Sequence, residues 1–249
     1  MEESERPTHV RPRHRMIDRV AGVLEAVARS DGLSLTEIAR AVDAPVSSIQ
    51  GLVNGLVATG YLDERSRTYR LGVAPYFLNL LAGRGAVNRI AHDDLVALHA
   101  ETDSTTAVLG VAVGSEVVYI DHCSTDPRTE HLAKRFTRRS LIRTSTGWVL
   151  LADWEQRDLW AYLETLGPED DERAQQFLDR VEEIRTSGVA LLPGAAEDAE
   201  IDGISVPVRE RGRVVAAVGV VGPRDVLLPR ETAIAEALQC HSTRWHARD

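Results

Sequence analysis

The chain has 249 residues, 43% of them hydrophobic and 27% charged, and its net charge is -9 at pH 7. This length suits two domains, and the apolar content is ample for packed cores. No apolar run reaches the roughly 20 residues of a membrane helix, and the first residues lack a secretory signal pattern. The two cysteines, Cys123 and Cys240, give no disulfide framework. We therefore expect a cytoplasmic protein.

Charge is distributed unevenly along the chain. Residues 1–72 carry ten arginines and ten acidic residues, whereas residues 73–249 carry the whole acidic excess. Residues 1–15 have no periodicity, so we predict a disordered basic arm that either contacts a polyanion or is only a solvated tail. The basic residues around this arm are Arg6, Arg11, Arg13, Arg15 and Arg19, with His9 and His14.

Three helices are predicted after the arm. The first covers about 16–30. The second begins after Ser34, because Ser34 and Glu37 have the spacing of a capping box. The third covers about 46–60, where an apolar stripe at helical period lies opposite a slim polar face.

Two short β-rich segments at 61–63 and 68–71, with arginines between them, predict a hairpin after the third helix. Three helices and such a hairpin over residues 16–72 are typical of a winged helix-turn-helix, which binds DNA. A three-helix core without DNA-binding function can show the same apolar stripe.

The third helix is the predicted recognition helix, and residues 45–59 contain no Lys or Arg. Phosphate contacts must therefore come from Arg40 of the preceding helix, from Arg65 and Arg67 of the wing, or from the arm.

The residues predicted to contact bases are Gln50 and Asn54, whose amides can pair with adenine in the major groove. Gly51 and Gly55 lie on the same face, and they either let the backbone approach DNA or are merely tolerated at about 1 kcal/mol each. The predicted DNA-binding residues are Arg40, Ser47, Ser48, Gln50, Gly51, Asn54, Arg65 and Arg67.

Residues 73–86 are predicted as a linker with a helix over about 75–82. Its apolar residues occupy more than one side of the helix, which is too much apolar surface for a free linker. We therefore expect this helix to pack on a second copy of the chain and form a homodimer.

Residues 87–249 predict a second domain of a different kind. β-rich runs at 105–113 and 116–122 flank a Gly-Ser pair, which indicates a hairpin, and further strands follow between 189 and 221. Antiparallel strands flanked by helices make this an α+β fold. The predicted helices are 88–101, 148–154, 155–166, 169–186 and 230–244.

Several segments in both halves of the chain form a recognisable set. The first half contains Leu35-Thr-Glu-Ile-Ala39 and Tyr69-Arg-Leu-Gly72, and the second half contains Val117-Val-Tyr-Ile-Asp121 and Gly203-Ile-Ser-Val-Pro-Val208. Further segments of the set are 45–49, 52–61, 144–147, 150–152 and 218–223. Through the order and spacing of these segments, the chain resembles the IclR-type transcriptional regulators over about residues 16–245.

The resemblance implies a winged helix, a dimerising linker helix and, over residues 87–249, a GAF-like effector-binding and oligomerisation domain that often forms tetramers. The partners it implies are a double-stranded DNA operator and a small organic acid or aromatic metabolite. It places the pocket at the positions matching Ser145-Thr146, Gly203, Gly219 and Val221. The chain departs from the family pattern at Gly51, where an arginine is usual, at Trp148, where a lysine is usual, at Ser140, where a proline is common, and at a displaced Pro193-Gly194 turn.

The residues themselves suggest an anion site at Thr144–Gly147, where hydroxyls and helix N–H groups meet near Arg139 and Arg143. The alternative is a Ser/Thr cap over a helix whose Trp148 is core. The predicted effector-binding residues are Tyr119, Arg143, Thr144, Ser145, Thr146, Gly147, Gly203, Ser205, Gly219 and Val221.

Other functions have little support in the sequence. His122, Cys123 and His131 match no standard zinc spacing, so we expect neither a metal nor a cofactor. An enzyme with Cys123 as nucleophile would need His122 beside it, but adjacent strand positions point to opposite faces. A winged helix that binds protein instead of DNA stays open, because the recognition face is uncharged.

Overall fold

The computed structural model forms two compact units, one within residues 11–84 and one within residues 85–249. The described residues are 14–82, 90–103, 105–131, 134–195 and 200–246. Most of the predicted basic arm and residues 83–86 of the predicted linker lie outside them. No helix among the described residues is long and apolar enough to cross a membrane.

The first unit is a winged helix-turn-helix followed by a further helix. Its elements are α1 (Arg15–Ala28), α2 (Leu35–Ala41), α3 (Val46–Ala58), β1 (Leu62–Arg65), β2 (Thr68–Leu71) and α4 (Ala74–Ala82). The predicted capping box starts α2: Ser34 Oγ accepts from the Glu37 N–H, and the Glu37 carboxylate accepts from the Ser34 N–H at 2.8 Å. The apolar stripe of α3 is buried through Ile49, Val53 and Leu56.

The second unit is an α+β domain built on one six-stranded sheet. Its order is β5-β4-β3-β8-β7-β6, with every neighbouring pair antiparallel. The strands are β3 (Thr106–Val113), β4 (Glu116–Ser124), β5 (Arg138–Ser140), β6 (Ala190–Leu192), β7 (Ile201–Glu210) and β8 (Arg213–Pro223). The two predicted strand groups thus join through β3 and β8, and the predicted α+β class is confirmed.

Helices cover both faces of this sheet. They are α5 (His92–Thr102), α6 (Pro127–Glu130), α7 (Ser145–Ala152), α8 (Gln156–Leu163), α9 (Asp171–Ser187), α10 (Arg224–Leu227) and α11 (Glu231–His246). One face packs against α7 and α9 around Trp148 and Phe177. The other packs against α5 and α11 around Leu95 and Leu238. Strand residues alternate between the two cores because successive side chains point to opposite faces.

One local prediction was wrong, and one strand was not predicted. The helix predicted to start at Trp148 starts at Ser145, because the Thr144 hydroxyl caps it by accepting from the Gly147 N–H at 2.9 Å. The strand β5 was not predicted, since its three residues are polar and carry no alternation. It lies at the edge of the sheet, where a short polar strand is tolerated.

Candidate functional site

All eight predicted DNA-binding residues are exposed on the first unit. On α3, Gln50 Nε2 donates to Asn54 Oδ1 at 3.1 Å, which leaves both amides with further donor and acceptor capacity. A Cβ built on Gly51 or on Gly55 would meet no atom within 4 Å. The packing of the unit therefore does not require glycine at either position.

The wing ends in a two-residue turn at Ser66 and Arg67. Both residues have positive φ, 52° and 61°, which is the geometry of a type I′ hairpin turn that normally selects Asn-Gly. A left-handed conformation costs a residue with a Cβ roughly 1–2 kcal/mol. Arg65 lies 3.3 Å from Asp63 in a well-exposed ion pair, which contributes little. An arginine thus occupies the tip in a conformation that favours other residues.

Helix α4 exposes most of its apolar side chains in the single chain. Tyr76 is 63% exposed, Phe77 55% and Leu81 67%, and Val73 just before the helix is 70% exposed. Exposed apolar side chains grouped on one short helix mark an interaction surface.

In the second unit, nine of the ten predicted effector residues are buried and Arg143 is half-buried. Ser145 Oγ lies 2.8 Å from Ser205 Oγ, and Thr146 Oγ1 lies 3.2 Å from the same atom. The Thr146 and Thr144 hydroxyls both oppose the rise that burial causes in the pKa of Tyr119, so its phenol belongs to the same group. We call Tyr119, Thr144, Ser145, Thr146 and Ser205 the hydroxyl cluster.

The strand register explains why these residues meet. Gly203 pairs with Val221, and Ser205 pairs with Gly219, so all four share the sheet face that α7 covers. A Cβ on Gly203 would lie 2.6 Å from Ser145 Oγ, and a Cβ on Gly219 would lie 2.1 Å from Ser205 Oγ. Both glycines therefore make room for the hydroxyls of the cluster.

The electrostatics of the cluster are close to neutral. Burial raises the pKa of Tyr119, although the Thr146 hydroxyl and the charge of Arg139 act in the opposite direction. The phenol is therefore an uncharged donor. Arg143 Nε donates to Asp170 Oδ1 at 2.6 Å, so a buried carboxylate already balances the arginine suggested as an anion partner.

Trp148 is a core residue, as the alternative interpretation predicted. It is 1% exposed, its Nε1–H donates to the Ile142 carbonyl at 2.8 Å, and its ring packs edge-on against Phe177 at 5.6 Å. Two surface grooves of about 440 and 480 Å³ lie along α9, and none of the cluster's residues lines either one.

Strict alternation along β4 would place His122 on the face opposite Tyr119, but a β-bulge changes this. The pairing of β3 with β4 shifts between Leu109 and Gly110, so that Ile120 is an extra residue in β4. This shift reverses the alternation and puts His122 on the same face as Tyr119. Nothing in the local sequence signals the bulge.

Cys123 lies on the opposite face, in the core beside α5 and α11. Burial and the nearby Asp121 charge raise the pKa of its thiol, which disfavours the nucleophilic thiolate. No group of three His, Cys, Asp or Glu side chains among the described residues is placed to hold a metal ion.

Two family models match the chain. Residues 16–66 match the IclR helix-turn-helix domain, and residues 82–244 match the C-terminal domain of the bacterial transcriptional regulator IclR.

Individual relatives and solved structures match the chain at low sequence identity. The chain is 26% identical over 225 residues to the HTH-type transcriptional regulator BhcR of Paracoccus denitrificans, covering 84% of this chain and 77% of that protein. A putative IclR transcriptional regulator from Silicibacter superimposes with a TM-score of 0.70 at 22% identity, covering 94% and 95% of the two chains. An IclR homologue from Microbacterium hydrocarbonoxydans, complexed with 4-hydroxybenzoate, gives a TM-score of 0.66 at 24% identity, covering 92% and 97%. These structures share the fold described above.

Proposed function

Because the chain belongs to the IclR family of bacterial transcriptional regulators, we propose that it binds a palindromic DNA operator as a dimer in the cytoplasm, and that a small organic-acid or aromatic metabolite sets its affinity for DNA. The family consists of regulators and not of enzymes, which agrees with the expectation from the sequence that Cys123 is not a catalytic nucleophile.

The DNA-binding half of the proposal rests on the exposed face of the first unit. Gln50 and Asn54 read bases, while Arg40, Arg65 and Arg67 contact phosphates. The strained turn supports this division, because an unfavourable backbone conformation that positions a functional group is common at binding sites.

The dimer rests on α4. Its exposed apolar side chains gain from burial against the same helix of a second copy, and a two-fold dimer reads two half-sites about 34–36 Å apart or a multiple of that. Dimers of this kind can pair further into a tetramer. Leu81→Glu should weaken operator binding and shift the protein towards a monomer, whereas Asn79→Glu on the same helix is the matched control.

The observation that carries the effector half is the hydroxyl cluster under α7. Its five buried hydroxyls offer donors and acceptors on the sheet face that α7 covers. Such a site suits carboxylates and phenols of small acids. An anion bound at the cluster is stabilised little by the charge of Arg143 unless it displaces the Asp170 carboxylate from that arginine.

The test is calorimetry of the full-length protein with 4-hydroxybenzoate, with and without an operator selected from random DNA. Allosteric coupling of about 1–3 kcal/mol corresponds to a 5- to 150-fold change in affinity, and it must be the same in both directions. Ser145→Ala should weaken the binding of 4-hydroxybenzoate. If the affinity for 4-hydroxybenzoate is the same with and without the operator, the regulatory role is contradicted. DNA binding that does not depend on salt would favour a winged helix that binds protein instead of DNA.

A further inference from the structure

Three buried imidazole nitrogens have no hydrogen-bond partner among the described residues: Nδ1 of His99, Nδ1 of His122 and Nε2 of His241. His99 bonds through its other nitrogen to Thr125 at 3.2 Å, and His241 lies 3.2 Å from the Glu101 carboxylate without hydrogen-bond geometry. His99 lies in α5 and His241 lies in α11, and both helices cover the sheet face opposite the hydroxyl cluster.

His122 lies on the face of the hydroxyl cluster. It pairs with Val108 of β3, Val108 pairs with Gly219 of β8, and Gly219 pairs with Ser205 of β7. Directly paired residues of antiparallel strands share a face. His122 and Ser205 are therefore the polar members of one row that crosses four strands.

The row has a polar group near each end and an apolar middle. The Ser205 hydroxyl leans over Gly219, since a Cβ there would lie 2.1 Å from Oγ. β4 and β8 flank β3, so the His122 and Gly219 backbones are two strand spacings apart, about 9–10 Å. Val108 lies between them and is fully buried. This spacing is on the scale of one ring, or a short carbon chain, with a polar group at each end.

We propose that His122 is a specificity-determining residue of the effector site, with Nδ1 hydrogen-bonded to one polar group of a bifunctional organic acid. The hydroxyl cluster holds the acid's other polar group, and Val108 supports its apolar middle. This role rests on the proposed effector function of the same face. It accounts for a buried nitrogen that is otherwise left without a partner, a situation that native proteins rarely tolerate without a functional reason.

The test compares three variants in the full-length protein with 4-hydroxybenzoate as the probe. His122→Leu has a similar volume and no polar atom, so its affinity should fall about tenfold or more. His122→Asn places an amide group where Nδ1 stands, so it should retain affinity within about threefold. Cys123→Ala alters the neighbouring residue on the opposite face and should bind like the wild type.

A melting curve separates binding from structure. Replacing an unpartnered nitrogen by carbon should leave the melting temperature of His122→Leu unchanged or higher. A clear fall in melting temperature would assign His122 a structural role and overturn the proposal. Unchanged affinity of His122→Leu would overturn it while leaving the effector site in place. If the wild type does not bind the probe, both this proposal and the proposed effector site fail.

Discussion

The recognition face of the first unit and the hydroxyl cluster of the second are built in opposite ways. Every predicted DNA-binding residue is exposed, and the glycines of α3 have open space around them. In the cluster every residue is buried, and the glycines are required by the hydroxyls that fill their space. The packing of the first unit thus does not require glycine on the recognition face, whereas glycine in the second unit is explained by the fold.

The largest expected effect concerns Gly147, and it is one of stability. A Cβ there would lie 2.0 Å from the Leu141 carbonyl oxygen, a backbone atom that cannot move aside cheaply. Gly147→Ala should therefore lower the free energy of unfolding by about 3 kcal/mol. All four tryptophans lie in the second unit, so their fluorescence during urea denaturation reports this unit alone. An unchanged midpoint would mean that α7 is not held against Leu141.

The next effect concerns sequence preference. Gln50→Ala and Asn54→Ala should each remove about 1–3 kcal/mol of discrimination between operator and altered sites. Neither side chain is charged, so the salt dependence of binding should stay the same. Fluorescence anisotropy at several salt concentrations measures both quantities. Loss of salt dependence with intact preference would reverse the assigned roles of α3 and the wing.

A third prediction uses the open space around Gly51. Gly51→Ala should stabilise α3 by about 1 kcal/mol, because alanine favours a helix and its methyl group meets no atom of the protein. If the helix approaches DNA closely, the same methyl group should weaken operator binding. Thermal denaturation measures the effect on stability, and fluorescence anisotropy measures the effect on operator binding. A variant that is more stable and binds equally well would show that Gly51 is merely tolerated.

These two regions also differ in how well the sequence predicts them. The capping box at Ser34, the stripe of α3 and the wing were predicted because each depends on residues close in the chain. In the second unit the class of fold was predicted, yet the start of α7 and the whole of β5 were not. The Thr144 cap depends on residues close in the chain, but the start of the helix was assigned to Trp148, whereas β5 exists only because β4 lies beside it.

The candidate effector site shows the same limit. The residues that meet at the cluster come from strands and a helix up to 86 positions apart, between Tyr119 and Ser205. The residues themselves suggested Thr144–Gly147, and the resemblance supplied Gly203, Gly219 and Val221. The register shows that these three strand residues share one face with Ser205. The sequence assigns His122 to no site. Strict alternation would place it opposite Tyr119, and only the bulge at Ile120 reverses this. A bulge is a property of pairing between strands, and the sequence of one strand does not reveal it.

The smallest expected effect on stability, and the sharpest test of the recognition face, lies at the tip of the wing. Arg67→Gly should stabilise the wing by less than about 1 kcal/mol, because glycine adopts positive φ without a steric penalty but loses more entropy on folding. It should weaken binding to all DNA sequences about equally. The log–log slope of affinity against salt should fall by about 0.9 for the lost phosphate contact.

Ser66→Gly is the matched control for this last prediction. It relieves the same kind of strain in the same turn and keeps the arginine, so it should gain stability without changing the salt dependence. If both variants lose DNA affinity alike, the conformation of the turn matters and the charge of Arg67 does not. If neither variant loses DNA affinity, the wing of this protein does not contact the phosphates. Arg40 or the basic segment before α1 must then make the phosphate contacts.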